Sequence, residues 1–510
     1  MWAAWGAGVG VPLGIALIAW GHQLQWRHRD DPQQNHQRAD NGISPLPDRR
    51  RNWFIATFAH PWAWVIVALI VACAFSLWIQ YIIIYGGLVQ SINATLEQND
   101  LPQQTLSIAA FNEGLVKCFS YAALTLAAYV VIFLLLDRFR PSSPSMKFTA
   151  LLWGCAGATG IAIFVNSWMS DLLAAGAGPD MADSASAVFV APFVEEACKA
   201  TILFWLIMAM RRRMCSVLQM IGLSGLSAAG FAFVENAIYY VRIYCTATLI
   251  PGISADDYLG QLVWLRGVLT SFGHPLFTMM TAFGLIVGLR QRSKVVRVVA
   301  PLAGYLVAAV LHMCFNGLAT IMDDYSVLLI IGLILVFGVV MWLIGQLLSQ
   351  RQVIAWRLDD YVRMGWLRDR DPAVYASPMS RLKLTTAGWL RGWRIGKATV
   401  RLMSAITELA YLRQFVTTGI NDDGVVSREH ELVVDAAAMR GIGLDEPVGL
   451  RLVPRYRGPA AWHTFKAWRA RRAASRQAPA PWATPAPWPT PAQAPWRAPA
   501  PAPWGSPVRV

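Results

Sequence analysis

A chain of 510 residues that is 55% hydrophobic and only 15% charged, with positive mean hydropathy, is not a water-soluble globule. The formal charge of +14 is gathered at one end: from Arg351 onward there are 24 Lys and Arg against 12 Asp and Glu. In a polytopic membrane protein such an excess marks a cytoplasmic tail facing anionic lipid, so no nucleic-acid partner is expected. The seven cysteines have no paired spacing and no CxxC, which indicates neither a disulfide framework nor a thiolate zinc site.

Residues 2–20 are uncharged with Trp2, Trp5 and Trp20 near the ends, and no basic segment of the kind a secretory signal needs precedes them. They read as a first spanning helix. The polar stretch 21–59 carries Arg27, Arg29, Arg38 and Arg49 to Arg51, which puts it in the cytoplasm and the N-terminus outside. Further spans are expected at 62–85, 116–136, 148–170, 187–210, 218–241, 263–289, 297–320 and 326–348, each near the roughly 20 apolar residues a bilayer requires. The fold class is therefore all-α, a polytopic bundle of about nine spans with a basic cytoplasmic tail. Arg138, Arg140 and Lys147, then Arg211 to Arg213, then Arg290, Arg292 and Lys294 fall on loops that alternation assigns to the cytoplasm. Loops 86–115, 171–186, 243–261 and 321–325 are poor in Lys and Arg and are assigned outside.

Four regions follow: the first helix and basic loop (1–60), the helix bundle (61–349, with its core at about 145–345), a basic, partly helical region (350–477), and a tail (478–510). In 378–415 apolar residues such as Leu390, Trp393, Val400, Met403 and Ile406 recur at helical spacing between bases. That pattern fits amphipathic helices on a membrane surface or a small helical domain. From Ala478 the Ala, Pro and Thr composition, with Trp482, Trp488, Trp496 and Trp504, predicts an extended polyproline II segment.

The informative stretch is Phe193 to Trp205, FVEEACKATILFW, where Glu195, Glu196 and Lys199 interrupt a run otherwise apolar enough to span a bilayer. Charges at that depth are expensive and mark sites. Lys199 stands at i+4 from Glu195 and i+3 from Glu196, so the three form one partly neutralised cluster. Later spans add Glu235 and Asn236 in FAFVENAIYY, His274 in FGHPLFT, and His312 with Asn316 in LHMCFNG. At about 1.5 Å of rise per residue, Glu195, His274 and His312 all lie about 22 to 24 Å above the cytoplasmic boundary set by Arg211, Arg290 and Arg297. Counted from Arg213, Glu235 comes out about 10 Å too high, which is repaired if its helix enters the membrane near Gln219 or tilts. Small residues from Gly222 to Gly230 on that helix allow close approach of neighbouring backbones.

Glu195-Glu196-x-x-Lys199, Phe231-x-x-x-Glu235-Asn236, His274 and His312, in this order and each inside an expected span, resemble the signature motifs of the PrsW family of intramembrane proteases. That family sits in a wider group with the CAAX prenyl endopeptidases and bacteriocin-processing membrane proteins. The resemblance covers about residues 145–345. It implies peptide hydrolysis near the outer face of the plasma (inner) membrane, with a single-pass membrane protein, typically an anti-sigma factor, as substrate.

Hydrolysis needs an activated water, an oxyanion stabiliser and an acid for the leaving amine. Glu195 is expected as general base, with Glu196 or Glu235 helping to hold the water and Lys199 balancing charge. His312 and Asn316, an i, i+4 pair, suit an oxyanion. His274 orients the water or donates beside them. Arg266, two turns before His274, holds an acid or a substrate carbonyl. Alternatively His274, His312 and Glu195 hold one zinc ion with an open position for water. Both routes stay open, the metal-free one slightly preferred. Intramembrane acids and histidines also build relays in proton- or ion-coupled transporters, although no second copy of the EExxK stretch supports such a repeat. A scaffold that has lost activity is the third alternative.

Overall fold

The computed structural model describes residues 61–98, 102, 106–139, 142–178, 182, 184–210, 216–291, 293–322, 326–417 and 425–447. The expected first span, its basic loop and the Trp- and Pro-bearing tail lie outside them. Among the described residues all regular structure is helical. The chain divides into two compact units, Met1–Gln346 and Leu347–Val510.

The first unit contains α1 (Pro61–Gln98), α2 (Ile108–Leu136), α3 (Pro144–Leu152), α4 (Thr159–Ala177), α5 (Ala191–Met210), α6 (Val217–Thr248), α7 (Ala255–Leu262), α8 (Gly273–Arg290) and α9 (Lys294–Ile321). Helix α10 (Ser326–Arg363) carries the chain across the boundary between the units. Seven segments of the described residues are long and apolar enough to cross a membrane. This is a multi-pass membrane protein, and seven of the nine expected spans are found among the described residues. The first lies outside the described residues. The stretch expected at 187–210 forms α5, a helix of 20 residues whose three charges set it apart from the seven.

Helix α6 is the axis of the bundle and is buried along most of its length. A side chain at Gly230 would put its Cβ 2.4 Å from the carbonyl oxygen of Leu151, and one at Gly225 would meet the Phe133 ring at 2.2 Å. The glycines therefore let α3 and α2 lie directly on α6, as the small-residue run predicts.

Several helices outrun their expected spans. Residues 86–98, expected as an outside loop, continue α1, and Leu88, Ile92 and Leu96 join Leu106, Phe111 and Leu259 in a buried cluster. Their i, i+4, i+8 spacing is a helical stripe that hydropathy alone undervalues. The stretch expected as one span at 263–289 lies within a single membrane-length segment, Ala255–Leu289, but its helix is irregular. Residues 263–269 are π-helical, 270–272 form a turn, and α8 starts at Gly273, immediately before His274.

Two further π-helical segments, Trp153–Ala158 and Ser186–Val190, interrupt helices beside the site. Such bulges displace backbone groups from their regular partners, and in lipid these must be satisfied internally. The carbonyl of Ala156 accepts from Ser76 Oγ (2.8 Å) and Gln80 Nε2 (3.0 Å), two buried polar residues of α1.

In the second unit α11 (Asp371–Ala376), α12 (Pro378–Arg391), α13 (Trp393–Thr417) and α14 (Val425–Arg440) follow the end of α10. Buried Arg440 pairs with Asp371, Arg368 donates to Asp445 (2.8 Å), and Arg381 turns inward to donate to Thr407 Oγ1 (2.8 Å).

Candidate functional site

Helix α5 brings Glu195, Glu196 and Lys199 to the bundle interior on consecutive turns. Lys199 and Glu196 are fully buried, so every lone pair and N–H on them requires a partner. Lys199 Nζ donates to Glu195 Oε2 (3.2 Å), to Glu196 Oε1 (2.9 Å) and to His274 Nδ1 (2.8 Å), which uses all three of its hydrogens. The face of Phe231 lies over the same ammonium at 4.1 Å. Glu196 in turn accepts from Thr278 Oγ1 (2.7 Å) and meets His312 Nδ1 at 3.2 Å.

These contacts orient both imidazoles. Because an ammonium has no lone pair, His274 Nδ1 is the acceptor from Lys199, and Nε2 lies 2.6 Å from Glu235 Oε2. Because a carboxylate only accepts, the contact with Glu196 is one in which His312 Nδ1 donates. The His312 ring is stacked on Phe277 with centroids 4.9 Å apart, and it meets the His274 ring edge-on at 5.2 Å.

Glu235 reaches the same level as the other groups despite the depth count from Arg213. Helix α6 begins only at Val217, with a capping box between Ser216 and Gln219, so the count starts later in the chain. Arg266 also meets Glu235, at 3.3 Å, while donating through Nε to Asn236 Oδ1 (2.9 Å) and lying 4.0 Å from the Tyr239 ring centroid. The expected helical spacing between Arg266 and His274 does not exist, since the turn at 270–272 separates them. Glu235 joins them instead. Asn316 is engaged elsewhere: its Nδ2 donates to the carbonyl of Ala187 (2.9 Å) in a π-helical segment.

Burial is graded across the cluster. The side chains of Glu196 and Lys199 are sealed, whereas those of His274, Glu235 and Arg266 are 14%, 20% and 27% exposed. The site therefore opens on the Glu235 side and closes beneath Lys199. Sequence reasoning did not single out Thr278, Phe277 or Tyr239. A threonine three residues after His274-Pro275 carries no signal until α8 is laid against α5.

Glu195, His274 and His312 each offer one ligand atom, and these atoms all lie within 4.8 Å of one another. The donor set is His2Glu, and a carboxylate lies against each imidazole, Glu235 at His274 and Glu196 at His312. Carboxylates in that position orient metal-bound imidazoles. The residues thus fit a divalent ion, with one condition. Lys199 hydrogen-bonds two of the three donor residues, Glu195 and His274, so ammonium and ion draw on the same lone pairs.

Residues 142–344 match the family model described as PrsW family intramembrane metalloprotease. No curated protein and no solved structure matches the chain.

Proposed function

We propose that this chain, whose residues 142–344 match the PrsW family model, is an intramembrane peptidase that cuts a single-pass membrane protein near the outer face of the plasma membrane. An anti-sigma factor is the proposed substrate class. The observation that carries the reading is the convergence of Glu195, Glu196, Lys199, Glu235, His274 and His312 from four helices into one connected cluster, open on one side. Charges inside a bilayer bundle are costly, and a purely structural pair needs neither two histidines nor an exposed edge. The side of the bilayer rests on the distribution of Lys and Arg among the loops.

Glu195 takes the proton of the attacking water as the water oxygen bonds to the scissile carbonyl carbon. The same proton then passes to the leaving amine. Glu235 orients His274 through Nε2, and Arg266 steadies Glu235 from the open side. Lys199 balances the developing negative charge beside Glu195 and Glu196. Asn316 serves as an oxyanion donor once its amide leaves Ala187. Glu195, His274 and His312 are the residues that would hold a zinc ion, which when bound supplies a water of lowered pKa and an electrophile for the carbonyl.

The test uses the purified full-length chain in proteoliposomes with a panel of single-pass membrane proteins. Cleavage by the wild type, abolished by Glu195→Gln, is the expected result. Cation flux without any cleavage defeats the proposal. Loss of cleavage on stoichiometric chelation, restored by zinc, separates the metal-dependent route from the metal-free one.

A further inference from the structure

The second unit carries an apolar and basic elbow that peptide hydrolysis does not use. Helix α12 ends at Arg391, Gly392 turns the chain with φ of 130°, and α13 starts at Trp393. On α12 the residues Leu384, Ala387 and Gly388 face inward. Met379, Leu382, Trp389 and Leu390 share the opposite stripe at i, i+3, i+10 and i+11, and all four are exposed. Trp393 continues the stripe across the turn at 73% exposure.

This face is built rather than loosely displayed. The Trp389 and Trp393 rings lie 4.9 Å apart between centroids, and a Cβ at Gly396 would fall 2.5 Å from the Trp389 ring. The α13 backbone therefore supports the indole from behind and holds it outward.

Along the chain, the charge flanking the elbow has one sign. Residues 372–407 contain six Lys and Arg and no acid. Arg381 is turned inward to Thr407, and Arg401 pairs with Asp435. Lys383, Arg391, Arg394 and Lys397 form no ion pair among the described residues, and the last three are exposed.

We propose that this elbow docks on the surface of an anionic bilayer, with Trp389, Leu390 and Trp393 in the interface and the four bases at lipid phosphates. Tryptophan favours the headgroup level, and exposed Leu and Met gain there what they would lose against water. Bases with no intervening acid match the negative leaflet. The chain also supplies proximity, because this unit follows directly on the apolar stretch of α10, so the elbow is tethered to a membrane and its effective concentration at a surface is high.

The experiment places p-benzoylphenylalanine at Leu390 in the full-length chain and reconstitutes it in nanodiscs of phosphatidylcholine alone or with phosphatidylglycerol. Irradiation should give lipid adducts on the peptide containing position 390, mainly in the anionic discs. Combining it with Arg391→Glu, Arg394→Glu and Lys397→Glu should lower the yield by about tenfold. The same probe at Val434, an exposed residue between Glu431 and Asp435, should give few or none. Equal lipid adducts at both positions, a yield indifferent to lipid charge, or adducts to protein or nucleic acid instead would each overturn the proposal.

Discussion

Glu235 Oε2 lies 2.6 Å from His274 Nε2, so a carboxylate on one helix sits directly behind the imidazole of another. Glu235→Gln keeps the shape of the side chain but allows it to present an N–H to Nε2, which favours the wrong tautomer or turns the ring away. Loss of such a backing carboxylate typically costs 10- to 100-fold in activity or metal affinity, and a loss of roughly that size is expected here. Cleavage rate and bound zinc, measured on the same preparation, check it. A variant with wild-type values of both would remove Glu235 from the site.

Lys199→Met probes the shared lone pairs. Without the ammonium, Glu195 and Glu196 are left buried beside each other, and breaking a buried pair of this kind costs roughly 3–5 kcal/mol. Under chelation the variant should melt well below the wild type. Adding zinc should then raise its melting temperature more than that of the wild type, because the ion no longer competes with Nζ for Glu195 and His274. Equal zinc shifts in the two proteins would contradict the competition.

The two histidine-bearing helices touch through glycine. A Cβ at Gly284 would fall 2.3 Å from the carbonyl oxygen of Ala300, and one at Gly304 would fall 2.6 Å from that of Met280. Backbone atoms cannot swing aside as a side chain can, so Gly284→Ala must push α8 and α9 apart. Overpacking costs about 1–3 kcal/mol, and the larger expected effect is on activity, since displacement of about 1 Å can cost 100-fold. Helical content by circular dichroism should stay near wild type while cleavage falls.

Asp137, in the turn between α2 and α3, lies outside the spans and is buried. Burial pushes its carboxyl above the ordinary value, opposed by Lys147 at 3.1 Å and by the backbone N–H of Ser142. A raised native value means the folded chain binds this proton more tightly than the unfolded one. Its contribution is thus fully present below the ordinary carboxylate value of about 3.9 and is lost as pH rises through the raised value. Melting curves of Asp137→Asn should fall less steeply over that window than those of the wild type. A steeper fall would reverse the sign.

Much of the fold was legible because it is governed by local rules. Apolar runs of bilayer length predicted the helices, and the spacing of Glu195, Glu196 and Lys199 on one helix required them to meet. Other features were not legible. The π-helical segments at 153–158 and 263–269 have no composition of their own. At 153–158 the irregular backbone lets Gly154 lie on the Ser227 carbonyl, and Ser76 and Gln80 donate to the Ala156 oxygen. The continuation of α1 over residues 86–98 was missed because its stripe of Leu88, Ile92 and Leu96 is diluted by polar residues, and it became helix only by burying that stripe in a cluster with Leu106 and Leu259.

By itself the sequence determined that this protein lives in a membrane and that acids, a lysine and histidines lie inside it, since hydropathy and helical spacing are properties of a single segment. Only the tertiary structure decided the partners: Glu235 behind His274, Glu196 behind His312, Lys199 between Glu195 and His274, Asn316 on Ala187. Those pairings depend on where helices cross, to within an ångström. Crossing points are set by backbone contacts at residues such as Gly230 and Gly284, which no pattern along one helix encodes.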